Sequence, residues 1–502
     1  MEDRKYLKKN LLMYPLGTVG RDMVYALFAN FLLTFVLITK SLTAAQLTAI
    51  TAIMVAARVF DALNDPLMGN IIERTRTKWG KFKPWLLIGC ITSSIVVIAA
   101  FNNSGIEGWP FVIYFGFIYF MYSITYTMND ISYWGMVPAL GSDGNTRNMF
   151  TSRATLFAGI GSTLAGVLIP MLTTGGMAIG GNAVTAYGTI AIVICILSPL
   201  FAMFTLFGVR ENRSDMAEPA PKISFKMIVK TITQNDQLLW ISLIFLLQQI
   251  GNGLVVGGIG SFYIYFEFGY AGGLYSLFTM VGMSVTAFLM IFYPVISRKF
   301  RRKPLMNILQ VVALVGYALM LCAGLFMPKG MMLKFYVITV GYMFANFGQF
   351  GFYLIMMISL IMMISIINTV EYNEYKHGNR AEAIISSLRP FLTKMGSAIC
   401  VALTSATYLI FRVTAITNEI SGIERDAAKQ IITDAQKGTQ IDNLLSSSVQ
   451  NSQSTGLLLA MTLVPLAFML GAFFLYKAKY KLDEPEYDRI CQELDARRAS
   501  VK

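Results

Sequence analysis

The chain has 502 residues, 55% of them hydrophobic and only 14% charged, against about 25% charged in a soluble domain, so it has too little polar surface to face water all round. Its net charge of +13 sits in short basic clusters between apolar runs, without the footprint that nucleic-acid binding needs. Five scattered cysteines without a CxxC pair, a single histidine (His377) and no HExxH sequence argue against a disulfide framework, a structural metal site and the common hydrolytic enzymes.

Apolar runs able to cross about 30 Å of hydrocarbon recur along nearly the whole length. Runs this continuous exclude the alternating pattern of a barrel, which leaves helices. Spans are predicted near 14–39, 43–72, 84–102, 110–138, 151–175, 185–208, 237–267, 271–297, 304–326, 333–369, 385–412 and 455–476. The first apolar stretch is too long for a cleavable signal and is expected to remain as the first span. The tenth run is longer than a bilayer needs, and Gly341, Gly348 and Gly351 are expected to mark a bend or re-entry.

The order is six spans, a polar gap and six spans. It predicts an N-terminal bundle (1–209), a linker (210–236) with a short amphipathic helix, a C-terminal bundle (237–476) and a tail (477–502). Lys and Arg collect on one side, from Arg4 to Lys9, from Arg74 to Lys83, in the linker, from Arg298 to Lys303 and in the tail, so both termini are expected in the cytoplasm of a cell with the chain in its plasma (inner) membrane. A basic turn follows both the second span, Arg74-Thr75-Arg76-Thr77-Lys78, and the eighth, Arg298-Lys299-Phe300-Arg301-Arg302-Lys303. Such an echo suits a duplicated rocker-switch carrier, and equally two unrelated cytoplasmic loops. The polar loop 413–453 is expected outside the cell, with one short surface helix over 423–437 and the rest mobile.

Ionisable residues inside spans cost about 2.5–3.5 kcal/mol each to insert and are therefore functional candidates. The second span carries Arg58, Asp61 and Asp65 on one helical face, with Asn64 beside them. Two carboxylates one turn apart repel when both are ionised, so they either bind a cation or share a proton. Asp22 lies in the first span beyond the small-residue run Gly17-Thr18-Val19-Gly20, expected to be loosely packed, and Asp130 in the fourth, one turn from Trp134. Alone, Trp134 reads as an interfacial anchor; with Asp130 it forms an aromatic plate beside an acceptor, which suits a sugar. The second half offers amides, Gln248, Gln249, Asn252, Asn346 and Gln349, and one cation, Lys394, which needs a carboxylate from the other half.

Several stretches together resemble the glycoside-pentoside-hexuronide:cation symporters of the major facilitator superfamily, typified by the melibiose permease. They are Gly20-Arg21-Asp22, Arg58 through Pro66 to Gly69, Trp79 to Trp85, Thr127 to Pro138, Glu371 to Lys376 and on to Glu382, and Lys394-Met395-Gly396-Ser397. The resemblance implies an all-α membrane protein with twelve transmembrane helices in two pseudo-symmetric six-helix bundles. It implies a secondary active symporter, not an enzyme, moving a sugar or glycoside with Na⁺, Li⁺ or H⁺ by alternating access. It also implies that Asp61 and Asp65, with Asn64 and Thr127, form the cation site. Asp22, Asp130, Trp134 and Arg153 would bind sugar, and Arg58, Lys394 and Arg389 would couple or gate. Expected partners are a small sugar or glycoside and membrane lipid, with no nucleic acid and a monomeric state. Two departures are Glu73, where the family more often has Asp, and Arg389-Pro390, where the melibiose permease has an uncharged polar pair. Arg389 would pair with an acid of the cytoplasmic gate or meet an anionic substrate. A lysolipid carrier of the same fold is the alternative, disfavoured by the retained Asp22, Asp130 and Trp134.

Overall fold

The computed structural model describes residues 2–103, 105–140, 144–210, 233–299, 302–358, 382–481 and short pieces of 372–376 and 486–494; most of the linker, His377 and Cys491 lie outside them. The described residues are helical almost throughout, with no strand among them. In chain order the first half contains α1 (Glu2–Ala26, continued through Leu27–Phe31 and Leu32–Thr39), α2 (Ala44–Arg74), α3 (Lys83–Phe101), α4 (Gly108–Gly135), α5 (Gly144–Thr173) and α6 (Ala183–Gly208). The second contains α7 (Asp236–Leu254, continued through Val255–Ile259 and Gly260–Phe268), α8 (Gly272–Lys299), α9 (Arg302–Phe326), α10 (Met332–Ile358) and α11 (Glu382–Ile410). Then come α12 (Val413–Ala428), α13 (Asp434–Ser448) and α14 (Asn451–Lys479). Eight described helices are long and apolar enough to cross a membrane, or nine if the bent pair at α11 and α12 is one span.

The halves meet where α2 packs on α11 and α5 on α8. α1 and α7, first in their respective halves, each contain a π-helical turn, at Leu27–Phe31 and Val255–Ile259, and the two turns touch. At Gly258 in the second turn φ is +128°, and an added Cβ would lie 2.6 Å from the Tyr408 hydroxyl, so only glycine fits.

Three sequence expectations change. Gly17 and Gly20 are not loosely packed: an added Cβ at Gly20 would lie 2.6 Å from Ser198 Cα, because these glycines let α1 lie directly on α6. Gly341, Gly348 and Gly351 do not bend α10, which is one continuous helix to Ile358. They bring it against α9, where a Cβ at Gly341 would meet the Gly316 carbonyl at 2.9 Å, the small-residue packing of membrane helices. The rest of the predicted tenth span, 359–369, lies outside the described residues.

The third change concerns the loop before the last span. The segment 423–437 straddles the turn between two helices instead of forming one. Val413, Ile416, Thr417, Ile420, Ser421, Glu424 and Ala427 recur at three- and four-residue spacing and are buried, so α12 has a buried face. Thr433 and Gln436 form a capping box that starts α13. Arg412, at φ 52°, turns the chain by 88° out of α11. α12 then crosses onto the end of α1 and onto α6, a lid from the second half lying on the first. Leu42 N donates to Asn418 Oδ1 (2.8 Å), Ala183 N donates to Glu424 Oε2 (2.7 Å), and Lys437 Nζ donates to the Gly181 carbonyl (2.6 Å).

Candidate binding and coupling site

Four helices bring the ionisable residues into the middle of the bundle. On α1, Arg21 is 4% exposed. Its Nη2 donates to Asp22 Oδ2 at 2.9 Å and its Nη1 to Asp130 Oδ1 at 3.0 Å, so one guanidinium joins α1 to α4. Thr18 Oγ1 also donates to Asp22 Oδ2 (2.5 Å). The guanidinium lies 4.5 Å from the Tyr133 ring centre and 5.2 Å from that of Trp134, within range for cation–π attraction. Trp134 therefore faces the charge cluster and not only an interface.

A second group lies between α2 and α4. Asp61 is buried, accepts a hydrogen bond from Ser123 Oγ and has Arg58 Nη1 at 3.6 Å. Asp65 is half-buried; its Oδ1 accepts from Thr127 Oγ1 at 3.2 Å, and its Oδ2 accepts from Lys394 Nζ on α11. The Lys394–Asp65 pair thus crosses from one half to the other. Asp65 lies within electrostatic reach of Asp61 and Asp130, and Asp130 within reach of Lys394 and Asp22. Asn64 is half-buried, and its amide nitrogen has no partner among the described residues. Among the described residues no group of three His, Cys, Asp or Glu side chains could hold a metal ion; the oxygens gathered at Asp61 and Asp65 come from two carboxylates and two hydroxyls.

Arg153 stands apart from this cluster: it is exposed and donates to the Leu11 carbonyl at 3.2 Å. Arg389 falls on α11 outside the residues whose side chains are described. Arg21 enters the sequence reading only within Gly20-Arg21-Asp22 and without a role of its own, and Ser123 and the aromatic column between the two groups do not enter it at all. In that column Tyr25 packs on Tyr126 (5.5 Å), Tyr126 on Tyr122 (5.3 Å) and Tyr122 on Phe28 (3.6 Å). The signal for Arg21 was present, since it too is a charge inside an apolar run.

A two-half helical bundle with charges held in its middle, on helices facing each other across the halves, is the architecture of a major facilitator carrier. The family profile described as MFS/sugar transport protein matches residues 13–484, and the chain belongs to that family. Its members are membrane transporters, not enzymes. The chain is 28% identical over 417 residues to a lactose permease of Leuconostoc lactis, covering 79% of this chain and 62% of that protein. It is 25% identical over 522 residues to a lactose permease of Lactobacillus helveticus, covering 99% and 74% respectively. A raffinose carrier protein of Pediococcus pentosaceus is 27% identical over 408 residues, covering 77% and 60%. The chain thus spans about three fifths of the length of several of these relatives. Among solved structures, a bacterial homologue of the human lysosomal transporter Spinster, inward-facing and unoccupied, superposes with a TM-score of 0.60 at 14% identity, covering 94% of this chain and 96% of that one. That likeness is one of fold.

Proposed function

We propose that the chain is a symporter that moves a neutral glycoside together with one monovalent cation or proton, by alternating access of its two halves. The observation that carries the reading is the charge balance of the central cluster. Three cations, Arg21, Arg58 and Lys394, are paired with four carboxylates, Asp22, Asp61, Asp65 and Asp130. The cluster is one positive charge short of neutrality, and unbalanced charge is expensive inside a bilayer. A single monovalent cation or proton at Asp61 and Asp65 supplies it. Oxygen donors suit Na⁺ or Li⁺, and the same carboxylates can carry H⁺.

The sugar set in this reading is Asp22, Asp130 and Trp134, organised by Arg21. The carboxylates accept from sugar hydroxyls while the indole covers an apolar ring face. Relatives named for lactose, raffinose and isoprimeverose support a glycoside as cargo. Lys394 sits on Asp65 where a coupling cation would be drawn. An arriving cation releases it, loosening the α2–α11 contact between halves, and linkage then requires cation and sugar to strengthen each other's binding equally.

The positive-inside bias supports cytoplasmic termini and a lid on the outer side. In that orientation the cargo site is sealed from outside. Ser276 Oγ donates to the Val167 carbonyl at 2.6 Å and Thr174 Oγ1 meets Tyr265 OH at 3.1 Å, both across the halves at the lid end. We read 1–209 and 237–476 as the two moving bundles, joined by the linker 210–236, with 477–502 as a tail.

Uptake of a glycoside panel into vesicles, with and without Na⁺ at two pH values, tests the function. Asp61→Cys and Asp65→Cys are expected to insert normally and to lose cation-stimulated uptake. Full stimulation in both variants would discard the site.

A further inference from the structure

At the lid end a crevice of about 300 Å³ opens between α1, α3 and α6, lined by Phe35, Lys40, Asn103, Thr185, Thr189 and Arg425 among others. It is separate from the central cluster and holds none of the residues assigned above to cation or sugar. We propose that this crevice holds the headgroup of an acidic phospholipid that carries hydroxyls, of the phosphatidylglycerol type, with an acyl chain lying along the outer face of α6.

Two features favour an anion. Lys40 is 3% exposed, and among the described residues its ammonium bonds backbone carbonyls and no carboxylate. Its Nζ donates to the Asn103 and Ile106 carbonyls at 2.7 and 2.8 Å, which occupies two of its three donors. Arg425, from the lid, is shared with Glu107 at 2.5 Å, so the patch of Lys40, Arg425 and Glu107 keeps one net positive charge. Val184 and Thr185, in the first turn of α6, also line the crevice, but that helix start is already capped by Glu424 on Ala183 N and by Asn182 on Thr185 N, so it adds nothing to the anion's binding.

One feature favours hydroxyls beside the anion. Asn103 is 6% exposed, and its Oδ1 is buried without a hydrogen-bond partner. An unpaired acceptor in the wall of the crevice suits a ligand that brings both a phosphate and a hydroxyl donor; hydrogen phosphate carries one as well, so it is the acyl chain that sets the lipid apart from the free anion. The mouth of the crevice points to lipid rather than to a free solute. Ile192, at its rim, is exposed, and Ile196 and Leu200 continue the same exposed row one and two turns along α6.

The test uses the full chain in nanodiscs of phosphatidylcholine with and without phosphatidylglycerol, and native mass spectrometry of the lipid that stays bound. Phosphatidylglycerol is expected to be retained in preference, roughly tenfold for each charge-assisted contact that it gains. Arg425→Gln, which removes one of the two cations, should cut the preference roughly tenfold, and Thr189→Trp, which fills the crevice without changing charge, should abolish it. Unfolding in phosphatidylcholine alone checks that both variants fold, and Thr185→Leu replaces Thr189→Trp if that variant does not. Equal retention of the two lipids, or a preference that survives both substitutions, would overturn the proposal. So would thermal protection in detergent by inorganic phosphate equal to that given by the lipid, since it would make the crevice a small-anion site.

Discussion

Replacing Arg21 by Gln removes the group on which the central cluster is organised. The side chain is 4% exposed and bonds two carboxylates, Asp22 at 14% and Asp130 at 40% side-chain exposure. Breaking a buried ion pair from one side costs about 3–5 kcal/mol, because the remaining charge is stranded. That figure applies to the Asp22 contact. The Asp130 contact is partly solvated and contributes about 1 kcal/mol or less. Loss of the Tyr133 and Trp134 faces adds about 0.5–2 kcal/mol. A total loss of several kcal/mol is therefore expected for Arg21→Gln, and about 1 kcal/mol for Asp130→Asn. In Arg21→Gln/Asp130→Asn one stranded acid is gone, so the double variant should be more stable than the sum of the two single losses implies. The assay is denaturant unfolding of the purified protein in detergent across this cycle, with glycoside binding measured on the folded fraction. A loss below about 1 kcal/mol for Arg21→Gln, or strict additivity in the cycle, would refute the role given to Arg21.

Four further outcomes follow from the geometry. Lys394→Gln removes the ammonium that competes for Asp65, and half-maximal cation stimulation of glycoside binding should move to a concentration roughly tenfold lower, the worth of one partly exposed ion pair; an unchanged midpoint would contradict the competition. Ser41→Cys/Ser421→Cys should cross-link, since the two hydroxyl oxygens lie 3.0 Å apart between the first half and the lid, and oxidation should stop uptake until a reductant is added; full uptake in the cross-linked protein would show that the lid travels with the first half. Glu424→Ala should destabilise the lid by about 3–5 kcal/mol, because it strands buried Lys437 and leaves the Ala183 N–H bare, with faster proteolysis of 413–448 as the readout. Burial, with Arg425 nearby, outweighs the attraction of Glu107 and lowers the Lys40 ammonium to about 8. The phosphatidylglycerol preference should therefore decline as the pH rises through 8. Stability in phosphatidylcholine should move the opposite way between about 8 and 10.5, where the unfolded lysine still holds its proton.

Much of this was legible in the sequence, for physical reasons that also explain the misses. Asp22, Asp61, Asp65 and Asp130 are conspicuous because a charge in an apolar run needs a partner, and the structure gives each of them one. Arg21 stands in the Gly20-Arg21-Asp22 stretch without a role of its own; consecutive residues on a helix point about 100° apart, yet the long guanidinium reaches its neighbour Asp22 and across to α4. Ser123 gave no signal, since a serine in a membrane helix commonly bonds its own backbone; only the register of α4 against α2 aims it at Asp61. Glycine is ambiguous in one dimension. Gly341 and Gly348 looked like breaks, whereas the approach of α9 explains them. The lid was hidden by composition: 413–428 is polar overall, and its buried face emerges only when every third and fourth residue is followed.

The uneven division of charge between the halves bears on which step of the proposed cycle responds to voltage. The first half holds all four central carboxylates and two of the cations, and the second supplies Lys394 alone. With a monovalent cation bound the cluster is neutral, and its passage across the membrane moves little charge. Without it, the cluster carries one negative charge. A potential negative inside is worth about 2.3 kcal/mol per charge at about 100 mV, and it acts on the empty form, drawing the negative cluster toward the outside. On this mechanism voltage speeds the return of the empty carrier and leaves the loaded step nearly untouched. Lysine suits the position on α11 for the same reason, because a compact point charge can exchange with a single cation at Asp65, whereas the fixed fork of arginine would hold the carboxylate by two bonds.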